Sequence, residues 1–527
     1  MPITAITISN FKGISDPVRI ELKPITLLFG PNSAGKSTVL QALQYAYEIF
    51  CNRNFNPDRT ELGGSKVDLG GFRSFVHKHD LDEVVTLRID MDVDGDIPFN
   101  AEDLLDDFFD ESEFRSEYYN LWDVFEEIET VWVEVEISWD EKESVAYPLT
   151  YEIGINDEKI AMIDCSDPGS LPVVDYIEYG HDLLNFERED DEDDILLAVN
   201  RFIAEEGELS FSGAIGNAAL PKWGEVLPLE VQKYEDEVIP EKIAKLIIKL
   251  FFSALLVGPG EMVRDALKKL SYLGPIREVP NRSFIPQQTK DIRRFSTGLN
   301  AWDSLQFEEG LIKKVNKWME KLGINYSVKQ LSMVENDKRG LLKAIRSMVD
   351  YEVSESMEIY SVLQDYFEEG LVEGRIVLHD ELNDVDVYPI DVGIGISQVL
   401  PVIVEVLNAS FGAILSVEQP ELHIHPKLQV ELADIFISSA DDVEDSIFLI
   451  ETHSEHLMLR FLKRIRETTD DELDEGATSF DCEDLAVYYV HPTDRGTRFK
   501  KIRVDEDGEF LDRWPEGFFA ERAKEVF

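Results

Sequence analysis

Hydrophobic positions along this chain change period several times, and each change marks an element. Ile6 and Ile8 alternate with polar neighbours, as do Val85, Leu87, Ile89, Met91 and Val93 with Thr86, Arg88, Asp90 and Asp92. Val131, Val133, Val135 and Ile137 repeat the pattern. A period of two puts alternate side chains on one face, so these stretches predict half-buried strands. Ile25 to Phe29 is instead a short continuous apolar run, which suits a strand covered on both faces. Leu40, Leu43, Tyr47 and Phe50 then fall at i, i+3, i+7 and i+10, one stripe of a helix.

Further along, the pattern predicts a mainly helical stretch over residues 195–270 and helices over Leu311–Leu322 and Ser354–Phe367. Leu246 to Gly258 is apolar but broken by Lys249. A membrane span needs about 20 apolar residues, so this run reads as a buried helix and no membrane association is expected. Ala101 to Glu129 is acidic and aromatic and reads as a helical insertion. Residues 384–460 alternate strand, loop and helix. Val487 to Val490 begins a β-rich tail with a hairpin across Asp505 to Gly508. The expected organisation is an N-terminal lobe (1–93), an acidic β/helical insertion (94–270), a helical connection (271–383), a second lobe (384–460) and a tail (461–527).

Charge narrows the function classes. The 527 residues carry 51 basic and 106 acidic side chains, a net charge of −55. Such a field repels phosphate backbones, which excludes a broadly nucleic-acid-coating surface. Acidic blocks at Glu187–Asp194 and Asp470–Asp484 read as solvated loops. The densest basic cluster is Arg277, Arg282, Lys290, Arg293 and Arg294, with a second at Lys463, Arg464 and Arg466. These are the candidates for a local nucleic-acid contact. Cys51, Cys165 and Cys482 are scattered, which points to a reducing compartment. Met1 to Lys12 lacks the pattern of a signal peptide, so a cytoplasmic location is expected.

The chemistry centres on Gly30-Pro31-Asn32-Ser33-Ala34-Gly35-Lys36-Ser37-Thr38, a match to G-x-x-x-x-G-K-[ST]. The apolar run Ile25–Phe29 precedes it and the helical stripe follows, the order a phosphate-binding loop requires. Glycines let backbone N–H groups converge on phosphate oxygens, and the helix N-terminus adds positive potential. Lys36 would reach the β- and γ-phosphates of a nucleotide such as ATP, and Ser37 would ligate Mg²⁺. Two later segments supply partners. Ala413 to Glu418 is an apolar strand ending in an acid suited to hold the Mg²⁺. Ile447 to Ile450 is a second apolar run, followed by Glu451-Thr452-His453-Ser454, where His453 could bond the γ-phosphate.

Together these segments resemble the ABC-type ATPase head of the RecF/SMC group, and within it predicted AAA-family ATPases related to the ATPase half of OLD-family nucleases. The resemblance rests on "GPNSAGKST", "YLGPIREVPNRSF", "DVGIGISQVLPVI", "VEQPELHIHP" and "ETHSEHLMLR". It implies an α/β P-loop NTPase fold: a mixed sheet, an antiparallel β subdomain and a helical insertion. Lys36 and Ser37 match the Walker A positions, Glu418 the Walker B acid and His453 the switch histidine. Gly393, Gly395, Ser397 and Gln398 fall on the signature segment, which in such heads contacts the partner subunit's nucleotide. ATP-driven homodimers are therefore implied.

The chain departs from the family at Gln419, where a glutamate commonly orients the attacking water. Glutamine can hold a water but cannot take its proton. Slow hydrolysis is the expectation unless Glu421 compensates. A pure nucleotide sensor holding a toxin or nuclease partner is the first alternative. An ATPase-regulated nuclease is the second; Asp505-Glu506-Asp507 matches its Asp-x-Asp pair only in outline. Glu421, His423 and His425 could also be read as a metal cluster, but they fit better as an interface loop.

Overall fold

The computed structural model describes residues 2–93, 128–167, 169–184, 194–232, 240–289, 291–335 and 371–515. The expected helices at 101–127 and 354–367, the acidic block at 187–193 and Lys290 lie outside these residues. The elements run as strands β1 (Ile3–Ser9), β2 (Val18–Glu21) and β3 (Ile25–Phe29), helix α1 (Ser37–Phe50), then β4 (Val85–Asp92), β5 (Thr130–Asp140), β6 (Val145–Ile155), β7 (Glu158–Asp164) and β8 (Val173–Ile177). Helix α2 (Asp194–Ala204), the short strands β9 (Glu208–Phe211), β10 (Gly216–Asn217), β11 (Leu220–Pro221) and β12 (Leu229–Gln232), helix α3 (Glu241–Leu267) and β13 (Leu270–Leu273) follow. Next come α4 (Leu299–Phe307), α5 (Leu311–Lys321), β14 (Tyr326–Glu335), β15 (Leu371–Asp380) and β16 (Val385–Val387). The chain closes with α6 (Ile394–Leu407), β17 (Ile414–Glu418), α7 (Pro426–Asp442), β18 (Ile447–Glu451), α8 (Glu455–Thr469), β19 (Leu485–Thr493) and β20 (Gly496–Lys501).

The central sheet has the order β13-β17-β18-β3-β19-β20, parallel except for the β19–β20 hairpin. Its inner strands β17, β18 and β3 are buried at every position because both faces are covered. Their two-residue period still operates: Leu28, Ile414, Ile447 and Leu449 join the core containing α1 and α3. Ile25, Leu27, Phe29, Leu415, Val417, Phe448 and Ile450 join the core beneath α4 to α8. An antiparallel sheet of order β2-β1-β4-β5-β6-β7-β8 lies across α1. Helix α1, buried along nearly its whole length, is thus pressed between two sheets.

The structure is the α/β architecture of a P-loop NTPase, a mixed central sheet with the antiparallel subdomain the sequence led one to expect. Three expectations change. The 93/94 boundary falls inside one sheet, because β5 pairs with β4 from Val85↔Ile137 to Asp92↔Thr130. Residues 205–232 form short strands, not helix; Glu206 and Ala218 adopt left-handed backbone and Gly216 and Gly224 positive φ, which breaks any helical run. The 271–383 connection contains the β14-β15-β16 sheet besides its helices. The apolar run 246–258 sits in α3, the one helix among the described residues long and apolar enough to cross a membrane, and it is 89% buried within the protein.

Because Leu40 is wholly buried on α1 between the two sheets, Leu40→Ala should lower unfolding free energy by about 2–5 kcal/mol. Urea denaturation of both proteins measures the difference.

Candidate nucleotide-binding site

The loop between β3 and α1 is shaped by close backbone contacts. A Cβ on Gly30 would lie 2.2 Å from the Val490 carbonyl oxygen, and one on Gly35 2.9 Å from the Thr497 hydroxyl. Gly30 and Gly35 also take φ of +151° and +98°, values that favour glycine. Pro31, Asn32 and Ser33 form the exposed crest, with Ala34 tucked beneath and Thr38 buried in the first turn of α1. Lys36 is 4% exposed. Its Nζ donates to the carbonyls of Gly30 (3.2 Å) and Pro31 (3.1 Å) and lies 3.8 Å from the Glu451 carboxylate. Burial lowers its pKa, while Glu451, Glu418 and Glu421 push it back up.

Parallel pairing fixes the acids. Strands β17 and β18 align Glu418 opposite Glu451, and β18 aligns Glu451 opposite Leu28, the penultimate residue of β3. Three strand ends therefore deliver two carboxylates beside the loop. The Ser37 hydroxyl donates to Glu451 Oε2 at 2.6 Å, and the Tyr272 hydroxyl to Glu418 Oε1 at 2.9 Å. Burial first, and the Glu451 charge second, push the Glu418 carboxyl up to about 7. Burial raises Glu451 as well. Glu451 is the site residue that sequence reasoning missed. It stood at the end of its apolar run just as Glu418 does, but only strand register shows the two acids to be neighbours.

Glu421 is buried and accepts the His453 backbone N–H at 2.8 Å. Burial raises its pKa. Burial, and then the Lys36 charge, bring the His453 imidazole down to about 4, so it is neutral at physiological pH. Its Nε2 is buried without a hydrogen-bond partner, an orphaned polar atom of the kind a phosphate oxygen would satisfy. Gln419 adopts φ +45° in the turn after β17, anchored by its N–H on the Glu451 carbonyl at 2.7 Å.

Other expected site residues are placed differently. Gly395 opens α6 against the His423 carbonyl, 2.9 Å from where its Cβ would be. Ser397 and Gln398, expected to face a partner's nucleotide, are 2% and 4% exposed and point into their own chain. The Ser397 hydroxyl donates to the Ile394 carbonyl, and the Gln398 amide binds the backbone of Arg277. Only the Gly393–Ile396 turn of the signature segment reaches the surface. The basic patch also shrinks, with Arg282 and Arg293 left exposed. Arg277 is 2% exposed, Arg294 is paired with Asp303 at 2.6 Å, and Arg282 with Asp391 at 2.7 Å. Arg464 is buried against Asp434 and Glu467, and Lys463 pairs with Glu467. Asp505 caps its own turn by accepting from the Asp507 and Glu509 N–H groups, so its Asp-x-Asp resemblance is turn chemistry. Among the described residues no cluster of His, Cys, Asp and Glu forms a separate metal site, and His425 instead caps α7.

The residues present fit ATP and Mg²⁺. Ser37, Glu418 and Glu451 form an all-oxygen donor set suited to a hard divalent ion. The loop amides, Lys36 and the orphaned His453 nitrogen suit phosphate oxygens. Fold and site together define a P-loop nucleotide-binding domain. A family model described as AAA ATPase domain matches residues 1–161 and 267–458, and the chain belongs to that family. No curated protein matches it. Among solved structures it is similar to an SMC head bound to the C-winged helix domain of ScpA (9% identity, 95% of this chain and 98% of that one, TM-score 0.39). It is also similar to the SMC head domain from Thermotoga maritima (8% identity, 96% and 100%, TM-score 0.34). A third is an SMC head with an extended coiled coil bound to the C-terminal domain of ScpA, derived from Pyrococcus furiosus (10% identity, 100% and 98%, TM-score 0.36).

The paired acids make stability depend on pH. An unfolded glutamate titrates near 4.5, whereas folded Glu418 titrates near 7. Between those values the folded state holds a proton the unfolded state has lost, so stability falls as pH rises through the window. With no divalent cation added, denaturation from about pH 5 to about pH 8 should show that decline. Glu418→Gln should flatten it.

Proposed function

We propose that this chain binds ATP with Mg²⁺ at the Gly30–Thr38 loop, hydrolyses it slowly, and uses the nucleotide to join two copies head to head. The observation that carries the reading is the convergence of Lys36, Ser37, Glu418, Glu451 and the orphaned His453 nitrogen at three adjacent strand ends. Mg²⁺ held by Ser37, Glu418 and Glu451 would supply charge neutralisation at the phosphates. The chain's own residues do the rest. Lys36 binds phosphate oxygens, His453 Nε2 reaches the terminal phosphate, and Gln419 positions water. Removing a general base costs about 10²–10⁴-fold, so glutamine at 419 supports slow turnover. Glu421 Oε1 holds the His453 amide, while its Oε2 is buried without a partner and is the alternative group for a compensating base.

The dimer reading is supported by the exposed Gly393–Ile396 turn, where Ile394 is 60% exposed, and by neighbouring Ile390 at 50%. A net charge of −55 per copy makes such a dimer salt-sensitive. With Arg277 and Arg294 of the basic cluster neutralised internally, a protein effector, such as a nuclease or toxin, is favoured over nucleic acid as the object of the cycle. A role in DNA repair or phage defence and a cytoplasmic location remain part of this proposal. A sensor without turnover is the second reading, favoured by Gln419 alone.

Lys36→Ala should abolish ATP binding in a protein that still unfolds cooperatively; titration calorimetry with unchanged affinity sinks the site. ATP with Mg²⁺ should shift sedimentation from monomer to dimer, more so at higher salt, and a monomer under all conditions counts against the assembly. Gln419→Glu should accelerate single-turnover hydrolysis with little change in ATP affinity. Equal rates would mean that Gln419 is not the limiting residue.

A further inference from the structure

Arg277 is a full charge buried to 2% exposure, in a segment that sequence reasoning assigned to the surface. Burying a guanidinium is costly unless its donors and charge are matched. Its partners are specific. One terminal nitrogen donates to the Glu418 carbonyl at 2.7 Å and reaches the Gln419 carbonyl at 3.4 Å. The other reaches the Gln398 carbonyl at 3.4 Å. The Gln398 side chain in turn closes on the Arg277 backbone, accepting its N–H at 3.0 Å and donating to its carbonyl at 2.7 Å. Room for the arginine stem comes from Gly298, whose Cβ would sit 3.2 Å from Arg277 Cβ and Cγ, at φ +74°.

These bonds join two parts of the site that touch different copies in the proposed dimer. Gln398 lies on α6, one turn beyond the exposed Gly393–Ile396 segment. Glu418 and Gln419 form the end of β17 and the turn that aims the water-holding side chain. That turn is itself strained, with Gln419 in left-handed backbone ahead of Pro420. Its hold on the rest of the site is a few hydrogen bonds: Gln419 N–H to Glu451, Leu422 N–H to Gln419, and Arg277 to the Glu418 and Gln419 carbonyls.

We propose that Arg277 is a positioning residue: with Gln398 it couples the N-terminal turn of α6 to the Glu418–Gln419 turn, so that contact of a second copy with α6 sets the geometry of hydrolysis. The coupling rests on the ATPase reading above. Displacing α6 moves Gln398, Gln398 carries the Arg277 backbone, and the guanidinium carries the peptide that places Gln419. Nucleotide affinity is left to Lys36 and the loop amides, which Arg277 does not touch.

The test uses the full chain with Arg277→Lys, which keeps charge but loses the fork, and Gln398→Asn, which keeps the amide but shortens its reach. ATP affinity should stay within about twofold while single-turnover hydrolysis falls about 10- to 100-fold in each, as small misplacements of reacting groups do. The double variant should fall no further than the more damaging single one. Amide hydrogen exchange over residues 414–424 should quicken in Gln398→Asn, because the Gln398 side chain hydrogen-bonds Arg277, which bonds the Glu418 and Gln419 carbonyls. Hydrolysis within twofold of wild type, affinity lost in step with rate, or additive effects would overturn the proposal. Should Arg277→Lys fail to fold, Gln398→Asn decides alone. A wild type without turnover would refute the hydrolytic reading above, and the exchange measurement would still judge the coupling.

Discussion

The structure depends on holding three carboxylates, Glu418, Glu421 and Glu451, out of water within one small volume. Each is at most 9% exposed, and burial raises the pKa of all three. Two buried cations offset them: Lys36 from the loop side and Arg277 from behind β17. Arg277, brought down to about 10 by burial, keeps its charge at neutral pH. Tyr272, Ser37 and the His453 amide each satisfy one carboxylate oxygen, while Glu421 Oε2 is buried without a partner. The arrangement is incompletely balanced, and in the proposed function a divalent cation and a polyphosphate would complete it. A fully neutralised cluster would have nothing to gain from Mg²⁺.

Such a cluster can only be built at strand ends. Parallel pairing of β17, β18 and β3 brings residues remote in sequence to the same level of the sheet without any local signal between them. The apolar strands supply rigidity, since each is buried on both faces and cannot slip register without exposing or clashing its side chains. Helix α1 is held in the same way between the central sheet and the antiparallel one. The phosphate-binding loop is therefore suspended from two immobile elements. Its close approaches, Gly30 to Val490 and Gly35 to Thr497, tie it to the β19–β20 hairpin. The tail of the chain thereby becomes part of the site's support.

Half of the arginines that looked like binding patches are consumed internally: Arg277 on carbonyl groups, Arg294 on Asp303 and Arg464 on Asp434, while Arg282, Arg293 and Arg466 stay exposed. In a chain so acidic, a cation has carboxylates within reach almost everywhere, so runs of arginine in sequence are weak evidence for an outward-facing surface.

The sequence by itself determined the elements and the chemistry that is local. The loop motif, its flanking strand and helix, the alternating strands β4 and β5 and the acid at the end of β17 could all be read directly, because each depends on residues within one turn or one strand. Three features were decided only by tertiary structure. Glu451 became Glu418's neighbour through strand register, which no single segment encodes. Residues 205–232 became strands because left-handed residues and positive-φ glycines break the chain into hairpins within an otherwise helical stretch. Arg277 and Gln398 turned inward because Gln398 found the Arg277 backbone and Arg277 found the Gln398, Glu418 and Gln419 carbonyls, and burial is a property of the partners' positions. Polar residues look exposed in sequence; whether they are depends on what the fold brings to satisfy them.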